Sequence, residues 1–192
     1  MDVTNRSAWT RYRSTSGWTR RVWDLGQQLR PASITAGQLF VVGTPTHDAW
    51  HVAAHLDDEA TFSSVSALRP TLLRWQPPAS GPAHLRVSVD ALRDSAHGRA
   101  VLIFAPDALA ENELERLADA RRAGAMLLAV SAAHETAAEL DELAHDCAII
   151  DGPAGAASFE NSLQDMGFAG HLVTVSAGTA AAPRRRFALL GR

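Results

Sequence analysis

The sequence contains no lysine: all 18 of its basic residues are arginine. Without a lysine amine there is neither Schiff-base chemistry nor a P-loop lysine. The single cysteine, Cys147, excludes an intramolecular disulfide and a multi-cysteine zinc cluster, and it suits a reducing compartment, the cytoplasm. No apolar run approaches the roughly 18–20 residues of a membrane span. The start, Met1 to Arg6, lacks the basic-then-apolar order of a secretory signal. What is present is 192 residues, 46% of them hydrophobic, with 36 alanines. That is enough for one domain with a single core and too little for two comfortable ones.

The net charge of −3 is unevenly spread. Residues 1–30 carry six arginines against Asp2 and Asp24, and residues 184–192 carry four arginines and no acid. The body between them holds eight arginines against 19 acids. Two basic ends on an acidic body are expected to fold back on it, within a subunit or across a homodimer. Trp9, Trp18 and Trp23 interleave with Arg11, Arg13, Arg20 and Arg21, a pattern that could stack on bases and neutralise phosphates. The acidic body opposes that use, and Trp18 falls on an apolar stripe. Nucleic acid and membrane are therefore not expected partners.

Trp18, Val22, Leu25 and Leu29 recur at helical spacing, so residues 14–30 read as a helix with Ser16 as N-cap and Pro31 beyond its end. Leu39 to Val42, closed by Gly43, suits a strand buried on both faces. His47 to Ala60 reads as a helix, Leu72 to Trp75 as a short strand, 77–82 as a loop, and Val87 to Ser95 as a short helix. Arg99 to Ala105 is a second buried strand. Asp107 is expected to cap a helix reaching Ala123, stopped by Gly124. Met126 to Val130, Glu135 to Ala144 and Cys147 to Ile150 read as strand, helix and strand. Beyond Asp151, Phe159 to Met166 reads as helix and His171 to Val175 as strand. Alternating strands and helices predict a three-layer α/β/α sandwich with a mostly parallel five-stranded sheet. The organisation is a flexible segment 1–15, one domain 16–176, and a small-residue linker with a basic tail, 177–192.

The order of these pieces resembles the sugar isomerase (SIS) domain superfamily. A helix, Trp18 to Leu29, precedes the first strand, which ends in the glycine turn at Gly43. The stretch Val101 to Ile150 matches best: a strand, a helix ending in Gly124-Ala125, the strand Met126 to Ser131, then a helix with Glu139-Leu140 and Leu143 to Asp146. The wording Val101 to Pro106 looks most like a small bacterial group of SIS-like proteins. The resemblance spans residues 16–151 and implies a SIS or flavodoxin-like fold with a carbohydrate-derived ligand.

One departure bears on function. In that family the turn after the strand equivalent to 101–105 is rich in Ser and Thr, whose hydroxyls and N–H groups hold a sugar phosphate. Here it is Ala105-Pro106-Asp107-Ala108-Leu109, with no hydroxyl, one N–H fewer, and a carboxylate where phosphate would sit. The expectation is a small-ligand-binding domain without isomerase activity. The alternative is a regulatory or assembly protein that has lost the phosphate site. The expected ligand-binding residues are Gly43, Thr44, Thr46, His47, Asp48, Asp107 and Ser131, with no cofactor.

Three further groups suggest chemistry. His47, His51 and His55 stand four apart, so an adjacent pair could chelate a divalent ion. All three together would span about 12 Å of helix, too far for one ion, and a solvated face without metal is the plainer expectation. Ser131 with His134 and Glu135 hints at a nucleophile, without the G-x-S-x-G elbow; Ser131 is otherwise the end of a strand. Cys147 is either a reactive thiol or a small buried hydrophobe.

Overall fold

The computed structural model describes residues 17–31, 39–132, 134–149, 163 and 167–178. The segment 1–15, most of the helix expected over 159–166 and nearly all of the tail lie outside these residues. The described helices and strands are α1 (Trp18–Leu29), β1 (Leu39–Val42), α2 (Trp50–Phe62), β2 (Thr71–Leu73), α3 (Leu92–Ser95), β3 (Ala100–Ala105), α4 (Glu111–Arg122), β4 (Met126–Ser131), α5 (His134–Leu143), β5 (Asp146–Ile149) and α6 (Phe168–Ser176). The five strands form one all-parallel sheet in the order β2-β1-β3-β4-β5.

Successive strand residues point to opposite faces, so each central strand feeds two cores. Val41, Leu102, Phe104, Leu128 and Val130 pack under α1, α2 and α6. Phe40, Val42, Val101, Ile103, Leu127 and Ala129 pack under α3, α4 and α5. Runs that are apolar without alternation, such as Leu39-Phe40-Val41-Val42, follow from this double burial. The predicted stripe of α1 is buried, and Trp18 meets Phe168 with ring centroids 5.8 Å apart. Phe168 in turn meets Phe104 edge-on at 5.6 Å. Among the described residues no helix is long and apolar enough to cross a membrane.

Four local expectations differ from what is observed. Residues 171–175 belong to helix α6, not to a strand. Their β-branched run suggests extension, but tertiary burial against α1 and α2 outweighs a propensity worth a few tenths of a kcal/mol per residue. Helix α2 starts at Trp50, not His47, because Thr44 and His47 pair backbone to backbone, N–H to O at 3.0 and 3.1 Å. Helix α4 starts at Glu111, so Asp107 lies four residues before it and does not cap it. The Glu113 carboxylate accepts from the Ala110 N–H at 2.5 Å and serves that end instead. Finally, the residue before α1 is Gly17, in a left-handed conformation with φ 73°. The stop at Gly124 is as expected: φ is 95°, Gly124 N–H bonds Arg121 O, and Ala125 N–H bonds Ala120 O. This pair of bonds is a Schellman motif.

Candidate functional site

In an open parallel sheet the crevice for ligands lies beyond the carboxyl ends of the strands, where the strand order reverses. Here β1 and β3 are parallel neighbours in the sheet, with β2 added outside β1 on one side and β4 and β5 outside β3 on the other, so that point falls between their C-terminal turns. The two turns meet there through side chains. The Thr44 hydroxyl donates to one oxygen of Asp107 at 2.6 Å, and the Thr46 hydroxyl donates to the other. The two hydroxyl oxygens are 3.2 Å apart. A carboxylate thus takes up both hydroxyls that the first turn offers.

The turn that presents them is tightly built. A Cβ on Gly43 would lie 1.9 Å from the His47 carbonyl oxygen and 2.9 Å from the Ala49 nitrogen, so only glycine fits. The Gly43 carbonyl accepts from the Trp75 indole N–H at 2.8 Å. Asp48 forms an ion pair with Arg74 at 2.8 Å. Gly43, Thr44, Asp48, Arg74 and Trp75 line a small cleft. The Arg74 Nε is buried there with no hydrogen-bond acceptor among the described residues, a donor that natural structures seldom leave unmatched.

Of the residues singled out from the sequence, Gly43, Thr44, Thr46, Asp48 and Asp107 come together around the first turn. His47 is in the same turn through its backbone bridge to Thr44. Ser131 ends β4, beside Ala105 in register, and is fully buried. The side chains of His134 and Glu135 lie outside the described residues. Arg74 and Trp75 were missed. They follow β2, more than 25 residues from Asp48, and only the strand pairing of β1 with β2 brings them close.

Cys147 is half-buried in β5, and burial together with the carboxylates of Asp141 and Asp146 pushes its thiol up to about 12. It stays protonated at neutral pH, which is the behaviour of a small hydrophobe rather than a nucleophile. Burial also raises Asp146, with Asp24 and Asp141 adding repulsion, while a hydrogen bond from the Cys147 N–H pulls the other way.

Comparison with solved structures places this architecture. The chain superposes with a TM-score of 0.58 on a "putative phosphosugar isomerase" from Silicibacter pomeroyi DSS-3, at 16% identity, over 91% of this chain and 48% of that one. The chain shares the fold of that protein. The chain spans about half the length of that relative. It also matches the sugar isomerase domain of an RpiR transcription factor from Sphaerobacter thermophilus, at 14% identity over 90% of this chain and 95% of that one, with a TM-score of 0.45. No family model and no curated protein matches the chain. At such identities the likeness concerns the fold, and function has to be argued from the residues of the site.

Proposed function

We propose that this SIS-like domain binds a small, carbohydrate-derived ligand at the turns after β1 and β3, in the cytoplasm and without isomerase activity. The observation that carries the reading is the Asp107 carboxylate seated on the Thr44 and Thr46 hydroxyls. A phosphate would need those donors and would meet Asp107 and Asp48, with Arg74 already paired to Asp48. Two carboxylates against one guanidinium favour an uncharged polyol or an amino sugar over a sugar phosphate. Neutral hydroxyls can exchange hydrogen bonds with threonine and carboxylate alike.

A thermal-shift screen with neutral sugars, amino sugars, sugar phosphates and nucleotides tests this, since a bound ligand stabilises by RT ln(1 + [L]/Kd). The expected pattern is a shift with a neutral or amino sugar that is lost in Thr44→Val. Stabilisation by sugar phosphates in the wild type would overturn the reading.

A second reading, an assembly or regulatory protein that keeps the fold, draws on Trp50 and Phe62. These are 57% and 89% exposed at the two ends of α2. In it the chain is a homodimer to which the N-terminal region contributes. Sedimentation decides: a monomer at micromolar concentration in both low and moderate salt ends this reading.

A further inference from the structure

His51 and His55 lie one turn apart on α2, and their Nε2 atoms approach to 3.2 Å. They line a separate small pocket between α2 and α6, together with Val52, Glu59 and Phe168. We propose that these two imidazoles form a chelate for a divalent late first-row transition metal, of the zinc or copper class.

The argument is first geometric. Two nitrogens bound at about 2.05 Å to one ion are roughly 3.4 Å apart at a tetrahedral angle and roughly 2.9 Å apart at a right angle. The observed 3.2 Å falls between these values. The atoms that converge are both Nε2, lone-pair donors in the tautomer protonated at Nδ1. A helix makes the arrangement cheaply, because residues i and i+4 share a face. His47 takes no part, since it lies before the helix in the Thr44 turn.

Electrostatics and space agree. Among the described residues no arginine lines the pocket, and the Glu59 carboxylate does, one turn further along α2. That carboxylate lies against Gly170 of α6, where a Cβ would be 3.5 Å from its carbon. Among the described residues no three metal-ligating side chains converge. The site is therefore a two-ligand one, with water in the other positions and a carboxylate near enough to attract the cation. A two-imidazole chelate suits the metals that favour nitrogen ligands and not magnesium or calcium. The Trp50 ring lies beside that of His51, centroids 5.3 Å apart and planes tilted by 33°, so a paramagnetic ion held there lies near an indole.

The competing arrangement is a plain N–H···N hydrogen bond between two neutral imidazoles, and titration of tag-free protein separates the two. Equilibrium dialysis against zinc, and separately copper, is expected to give one ion per chain at roughly 100 µM free metal. His51→Ala and His55→Ala should each weaken binding by about tenfold or more, whereas His84→Ala, at an exposed position, should not. Electron paramagnetic resonance of the copper-loaded chain should show coupling to two imidazole nitrogens, and to one in either variant. Melting of each variant in chelator shows that it is folded; His51→Gln and His55→Gln replace any alanine variant that is not. No ion bound at that concentration, or binding unchanged in either histidine variant, overturns the proposal.

Discussion

At the scale of single residues the first turn is over-determined. Gly43 is required by the His47 carbonyl, and Gly43→Ala should cost about 3 kcal/mol or more, read as a fall in the urea midpoint. Asp107 is a different case. Thr44 is buried but Thr46 is exposed, and serine keeps a hydroxyl, so Asp107→Ser should cost about 1–2 kcal/mol. The same substitution should create phosphate binding, visible as a thermal shift that the wild type lacks. Asp146 allows a prediction about pH. Its carboxyl is raised above the ordinary value, so its neutral form fits the fold better than its charged form. Its contribution is therefore fully present below the unfolded carboxylate pKa and is lost as pH rises through the raised one. Asp146→Asn should be more stable than wild type at pH 7, with the difference vanishing in acid; denaturation at several pH values checks the sign. Cys147, pushed up to about 12, should react with thiol reagents far more slowly in the native chain than in the unfolded one.

At the scale of elements the closest packing is between α1 and α6. A Cβ on Gly26 would lie 2.5 Å from Cγ1 and 2.7 Å from Cβ of Val175, a stiff β-branched side chain. Alanine would favour an isolated helix by about 1 kcal/mol over glycine. Here overpacking of about 1–3 kcal/mol outweighs it, so Gly26→Ala should destabilise. Adding Val175→Ala should make the double variant better than the sum of the two singles by roughly 1 kcal/mol, measured as a double-mutant cycle. This crossing also accounts for the misread segment. His171 to Val175 has strand composition, yet the Ser176 hydroxyl reaches both Leu172 O and Gly26 O, at 2.8 and 3.2 Å. Such contacts exist only once α1 is in place, so no window of the sequence could reveal them. The start of α4 failed for a related reason: Asp107 is a good cap residue in isolation, but two threonines over 60 residues earlier take its carboxylate.

At the scale of the whole molecule the charge segregation has a partial structural expression. Arg20 pairs with Asp24 at 3.0 Å within α1 itself, while Arg21 donates to the Ile149 carbonyl at 2.9 Å and so ties the basic N-terminal helix to the body within one chain. The layered architecture, all five strands and the stripe of α1 could be read from periodicity, because double burial forces continuous apolar strands and one-sided helices whatever the partner. The glycine turn after β1 and the threonines in it could be read as well, since they are local. The sequence by itself therefore determined which segments are buried, how they alternate, and which hydroxyls and histidines are available. Only the tertiary structure decided where Asp107 spends its charge, that Arg74 and Trp75 join the first turn, that His47 leaves the helix while His51 and His55 converge, and that 168–176 is helical. The Asp107, Arg74, Trp75 and 168–176 contacts join groups far apart in sequence that parallel crossovers bring within hydrogen-bond or van der Waals range, whereas the His47 turn and the His51–His55 approach are local but set by backbone and rotamer geometry; neither kind leaves a periodic trace in the chain.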